Sequence, residues 1–283
     1  MNKLTHEKRC AVVRCLVDGM SVRATVRVTG VAKNTIQKLT VELGEACLAF
    51  QDKMLRNLPC RRLQCDKAWC FCYAKDKNVP DEMRGMPGVG SIWTWVVLDA
   101  DSKLIVSWRL GARDAANAHA FMQDVQERLA NRVQLTTDSA RVYINAVADN
   151  FASIDYAMLH KIYGRPDEHP ELRYSPAKCL GTKKRKMMGN PNPNYVSTSF
   201  AERQNLNLRM QNRRYTRLTS GFSKKADMLA YSIAITFSYH NFVRVHQTLK
   251  TTPAVTAGIA ARPWKIEDMV DLMESPMFQR KVS

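Results

Sequence analysis

The sequence of 283 residues predicts an α/β fold: a mixed five-stranded sheet with flanking helices, preceded by an all-α domain. Three observations carry this. Residues 5–50 place their apolar side chains at helical spacing, and residues 63–110 hold three runs that read as strands. From 114 to 163, helical and strand patterns then take turns.

The first helix is expected from Thr5 to Asp18, with Val12, Val13, Leu16 and Val17 as its apolar stripe and Gly19 as its end. Ser21 has the chemistry of an N-cap for a second helix through Val28. Thr29-Gly30-Val31 makes a turn, and Ile36, Leu39, Leu43, Ala46 and Phe50 mark a third helix. Val26, Gly30 and Ile36 stand where a helix-turn-helix needs a packed helix, a tight turn and a buried anchor. Lys33, Asn34, Thr35, Gln37 and Lys38 would then start a recognition helix, with amides suited to adenine edges and lysines to guanine or phosphate. A small helical bundle for protein contacts is the alternative reading of the same pattern.

Residues 51–62 read as a linker. Leu63–Ala74 and Ser91–Leu98 are strands, and Asp99-Ala100-Asp101-Ser102 is a hairpin turn into a third strand over Lys103–Leu110. Ala118, Phe121, Met122, Val125 and Leu129 line a helix from about Asp114 to Asn131. A short strand, Val133–Asp138, ends in a carboxylate. A helix over Arg141–Phe151 and a strand over about Tyr156–Tyr163 follow. The order βββαβαβ is that of the RNase H-like fold. Residues 164–198 break the periodicity with eight Gly and Pro around Lys183-Lys184-Arg185-Lys186, so a basic loop insertion is expected there. A long helix carrying Glu202 and a more apolar one over about Ser223–Val243 complete this domain, taken as 63–250, with 251–283 as a C-terminal tail.

The formal net charge of +17 is concentrated. Residues 1–60 carry 10 Lys and Arg against 5 Asp and Glu, and residues 171–225 carry 13 against 2. Two basic platforms on an otherwise near-neutral chain point to an anionic partner, double-stranded DNA first. The 45% hydrophobic content excludes wholesale disorder, and no apolar run approaches a membrane span. The polar start Met1–Glu7 has no apolar stretch behind it, so a cytoplasmic, nucleoid-associated location is expected. Cys60, Cys65, Cys70 and Cys72 contain no CxxC pair, and Cys70 and Cys72 alternate with aromatics as small core residues do.

Against that basic background three carboxylates stand out. Asp66 lies in the first strand, Asp138 ends a strand expected to be its neighbour, and Glu202 comes from a helix. Held together they repel one another unless a hard divalent cation intervenes, and carboxylate oxygens suit Mg²⁺ or Mn²⁺. Two such ions serve in-line displacement at phosphorus. Asn205 and Arg209, at i+3 and i+7, share the helix face of Glu202 and would meet a phosphate beside it, with Arg203 next in sequence. Lys183, Lys184, Arg185 and Lys186 would grip backbone without regard to sequence.

Leu63-Gln64-Cys65-Asp66-Lys67-Ala68-Trp69, Thr136-Thr137-Asp138-Ser139 and Glu202-Arg203-Gln204-Asn205-Leu206-Asn207-Leu208-Arg209 resemble the successive motifs of the DDE transposases of the insertion-sequence-one type. The last stretch is the most specific. The resemblance spans about residues 60–250 and implies that Asp66, Asp138 and Glu202 are a metal-binding catalytic triad. His240-Asn241-Phe242-Val243-Arg244-Val245-His246-Gln247-Thr248-Leu249, followed by Thr252-Pro253, looks like the closing segment of many such enzymes. The cysteine-paired zinc finger common in that group is missing, and the interval from Asp138 to Glu202 is longer than usual. The implied activity is cleavage at the ends of a mobile element and joining to target DNA, by at least a dimer in the synaptic complex. Two alternatives stay open: a DNA-binding regulator with a decayed nuclease fold, and an RNase H-like nuclease without strand transfer.

Overall fold

The computed structural model describes residues 4–164, 179–216 and 219–275. Three helices open the chain: α1 (His6–Val17), α2 (Val22–Thr29) and α3 (Lys33–Met54). Thr5 and Ser21 cap the first two by accepting from the Lys8 and Ala24 backbone N–H groups. Gly30 leaves α2 in the left-handed region at φ 69°, a conformation that costs glycine nothing. Val12, Val31, Ile36 and Leu39 bury one another where the three helices meet.

The sheet follows: β1 (Arg62–Cys72), β2 (Gly90–Asp99), β3 (Ile105–Gly111), β4 (Gln134–Asp138), β5 (Asp155–Tyr163) and β6 (Cys179–Met188). Helices α4 (Ala115–Arg128) and α5 (Val142–Asn150) flank β4 in sequence. The spatial order is β3-β2-β1-β4-β5-β6. β1 runs antiparallel to β2 and parallel to β4, and β4 runs parallel to β5. That arrangement is an RNase H-like mixed sheet with flanking helices. At the β2–β3 turn, the Asp99 carboxylate accepts from both the backbone N–H and the hydroxyl of Ser102.

One face of the sheet packs on α4 and α5 through Trp95, Phe121 and Tyr143, all fully buried. The other packs on α6 (Ser199–Gln211) and α7 (Ala226–Ser238), where Ala68, Cys70, Val96 and Leu98 meet Leu208, Leu229, Ile233 and Phe237. Cysteines 65, 70 and 72 are buried in these layers, as the alternation of β1 predicts.

The sheet has six strands among the described residues where five were expected. The sixth, β6, lies inside the 164–198 segment read as a loop, and positions 165–178 of that segment lie outside the described residues. β6 pairs antiparallel with β5, and Lys183, Lys184, Arg185 and Lys186 are on it, all exposed. An edge strand of exposed cations has no apolar alternation to reveal it, and lysines there discourage pairing with another chain.

Residues 51–62 and 251–275 are tied into the body as well. α3 continues to Met54, and Gln51 donates to the Cys47 and Ala234 carbonyls and to the Ser238 hydroxyl. α8 (Pro253–Thr256) and α9 (Ile266–Asp271) follow, with α9 lying on α1, where Arg14 pairs with Glu267 and His6 with Asp271. Positions 276–283 of the expected tail lie outside the described residues. Asn241, in the closing segment, accepts from the Ile105 N–H and donates to its carbonyl, both at 2.9 Å, which clamps the start of β3. Its role is structural.

α3 and α7 approach so closely that Gly44 has no room for a methyl group. A Cβ there would run into the Cβ of Tyr231 and lie 2.8 Å from its Cα. Gly44→Ala is therefore expected to lower unfolding stability by about 1–3 kcal/mol, read by urea denaturation. An unchanged midpoint would show that the two helices part freely.

Candidate active site

The site grows from the parallel junction of β1 and β4. Gln64 pairs in register with Thr136, the last pair of that ladder, and two residues further along each strand come Asp66 and Asp138. Side chains alternate in β-strands, so both aspartates start on the face covered by α6, on strands about 4.8 Å apart. α6 is fastened to the same face. The Gln64 side-chain oxygen accepts from the backbone N–H groups of Phe200 (2.8 Å) and Ala201 (3.4 Å), satisfying donors that the first turn leaves open. One turn later, Asn205 Nδ2 donates to Asp66 Oδ2 at 2.7 Å. Glu202 lies on α6 between these two fastenings.

The electrostatics agree with that proximity. Burial raises the pKa of the Asp66 carboxyl, a hydrogen bond from the Lys67 backbone N–H opposes it, and Asp138 and Glu202 push it further up. The outcome is about 6. Asp66 thus senses the charge of the other two carboxylates.

Two lysines answer them. Lys67 Nζ donates to both oxygens of Asp138, at 2.9 and 3.0 Å. The Lys67 side chain is only 2% exposed and sits over the rings of Tyr143 and Trp95, and burial lowers its pKa. Lys161, on β5, donates to Glu202 Oε2, while Thr198 Oγ1 donates to Glu202 Oε1 at 2.6 Å. Asp138 also accepts from the Ala140 N–H at 3.2 Å, and Ser139 shares a hydrogen bond with His160 Nδ1.

The three carboxylates do not share one cluster. Among the described residues, no three His, Cys, Asp or Glu side chains stand close enough to hold a metal ion. Asp66 and Glu202 share the α6 face, but the β1–β4 ladder stops at Gln64 and Asp138 turns to Lys67. The donor set itself fits a hard divalent ion, since it consists of carboxylate oxygens, two of which raise the proton affinity of the third, Asp66.

Asn205, expected to meet a phosphate, is 4% exposed and bonded to Asp66, so its amide faces the sheet. Arg203 is exposed and Arg209 half-buried on the same helix. On α3, Lys33, Asn34, Gln37 and Lys38 are exposed and Thr35 is half-buried. Gln64, Lys67 and Lys161 were not singled out by sequence reading. Lys67 carried one available signal, a cation between Cys65 and Trp69 at a core-facing position.

No family model matches the chain, and no curated protein matches it. Among solved structures, it is similar to a piggyBac transposase synaptic complex with hairpin DNA. The TM-score is 0.39 at 12% identity, over 100% of this chain and 75% of that one. It is also similar to the Mos1 mariner paired end complex with Mn and to a pre-cleavage Mos1 transpososome. Their TM-scores are 0.23 and 0.22 at 12% identity, over 54% of this chain. The chain spans 60% of the length of the Mos1 chains. The fold assignment rests on this chain's own strand order.

Proposed function

We propose that this chain is a DNA transposase of the DDE type, resembling the insertion-sequence-one group, that cleaves strands at element ends and transfers them to target DNA. The observation that carries the reading is the double fastening of α6 to β1. Gln64 and Asn205 fasten the part of α6 that carries Glu202 to the strand that carries Asp66, beside the strand that Asp138 ends. Asp66, Asp138 and Glu202 would hold Mg²⁺ or Mn²⁺, two ions in all, which when bound activate the attacking oxygen and stabilise the leaving one. Gln64 and Asn205 fix the helix, so that two carboxylates are set before substrate arrives. Lys67 pairs with Asp138 and Lys161 with Glu202.

DNA is held elsewhere. Lys33, Asn34, Thr35, Gln37 and Lys38 would read the element end from a helix-turn-helix, and Arg203 with the β6 cations would hold backbone. Joining two ends requires at least a dimer in the synaptic complex. Gln37→Ala is expected to relax sequence preference at one position, costing about 1–3 kcal/mol on the preferred duplex only. Lys38→Ala is expected to weaken all duplexes alike and to reduce the salt slope by about 1. Equal losses on every duplex for both variants would remove the base-reading role.

The test of function uses purified full-length chain, Mg²⁺ or Mn²⁺, and labelled duplexes carrying the ends of the encoding element. Nicking at the 3′ end followed by joining to a plasmid is the expected result. Cleavage without joining would favour a nuclease, and binding without cleavage a regulator.

A further inference from the structure

β1 outruns β4. Past Gln64 its face toward α5 carries Lys67, covered by Trp95 and Tyr143, and then Trp69, Phe71 and Tyr73, which are half-exposed. The segment after α6 comes alongside the end of this strand, with the Tyr73 N–H donating to the Ser223 carbonyl at 2.9 Å. It brings Phe222 against Phe71, ring centroids 4.6 Å apart, while Phe71 lies 6.0 Å from Trp69. The Trp69 ring is fixed by its N–H donating to the Ser91 hydroxyl at 2.9 Å, and that hydroxyl donates onward to Asp76.

Cations flank the rings. Lys224 Nζ stands 4.2 Å from the Phe222 centroid, and Lys75 Nζ stands 5.9 Å from that of Phe71. Phe222 also lines a cleft of about 650 Å³ between the N-terminal helices and the catalytic body. Arg23, Lys33, Arg213, Arg214, Lys224 and Lys225 line it, and no acidic residue does among the described residues. The start of α3 is thus joined by a basic channel to an aromatic ridge that begins two residues beyond Lys67. Half-exposed rings beside cations are what an unpaired base, with its π-face and adjacent phosphate, complements.

We propose that the Trp69–Phe71–Phe222 ridge is a stacking site for unpaired DNA bases, with the strand's phosphates in the basic cleft beside it. This rests on the reading of the chain as a DNA strand-processing enzyme and adds that it holds an opened strand beside the end of β1. Stacking is indifferent to base identity, so this site would serve any terminal sequence and leave sequence choice to α3.

The experiment compares a blunt duplex with the same duplex bearing a short unpaired 3′ tail that contains 2-aminopurine, in EDTA so that no cleavage occurs. The full chain is expected to bind the tailed duplex at least about fivefold more tightly and to quench the 2-aminopurine. Phe222→Leu and Trp69→Leu, which keep apolar bulk without a ring, should each lose most of that preference and the quenching. Their blunt-duplex affinity should stay within about twofold. Equal binding of both duplexes by the unaltered chain would overturn the proposal, as would variants that keep the preference or that lose both duplexes equally. A chain that prefers the tail yet never cuts with metal would retain the stacking site and lose the transposase reading. A chain that cuts and joins without preferring the tail would do the reverse.

Discussion

Glu202→Gln is expected to abolish metal-dependent DNA cleavage, by on the order of 10³-fold or more, while leaving the fold and DNA binding in place. The carboxylate is exchanged for an amide of equal size. Thr198 can still donate to the amide oxygen, and the lost pairing with Lys161 is a partly exposed one, with the glutamate side chain 39% exposed. Such a pair contributes about 0–1 kcal/mol, so the melting temperature should hardly move. The affinity for duplex DNA, supplied by α3 and the basic surfaces, should not fall. Cleavage assays and filter binding on the same preparation check both halves. Unchanged cleavage would remove Glu202 from the site, and cleavage lost together with binding would assign it to DNA contact.

Asp66→Asn is expected to do the opposite to stability. A carboxyl whose pKa is raised to about 6 in the folded chain, from 3.8, prefers its proton when folded. Its favourable contribution is therefore present below pH 4 and is lost as pH rises through about 6. Above that, the ionised group costs the fold at most about 3 kcal/mol, at 1.36 kcal/mol for each pKa unit. The asparagine variant carries no such cost, so its melting temperature at pH 7.5 should exceed that of the unaltered chain by several degrees, on the order of 5 °C. The difference between the two profiles should shrink as pH falls from 6 to 4. Other groups, Asp268 among them with its pKa held down to about 2 by Arg262, act equally on both proteins and cancel in the difference. A pH-independent difference would mean that Asp66 does not carry this charge penalty.

Much of this site was legible in the sequence because its elements announce themselves locally. Alternation placed Asp66 on β1, the short run Leu135-Thr136-Thr137 placed Asp138 at a strand end, and the basic surroundings set Glu202 apart. The partners of these acids were not legible. Lys67 meets Asp138 across 71 residues and Lys161 meets Glu202 across 41, distances over which only the folded sheet brings groups together. Helical spacing shows that Asn205 shares a face with Glu202, and not that its amide looks toward Asp66 on β1. β6 escaped for a related reason: periodicity is a signal of burial, and an edge strand with exposed cations buries too little to show one. The segment beyond residue 251 was read as a tail, although α9 rests on α1 through Arg14–Glu267 and His6–Asp271.

The account turns on Asp66, Asp138 and Glu202 forming one cation-dependent site, and Mn²⁺ titration followed by electron paramagnetic resonance tests that most directly. The free-ion signal should be lost saturably on adding the unaltered chain. Asp66→Asn, Asp138→Asn and Glu202→Gln should each weaken that binding at least about tenfold, as removal of one of three shared ligands requires. Equal Mn²⁺ binding by a chain carrying all three substitutions would contradict the account.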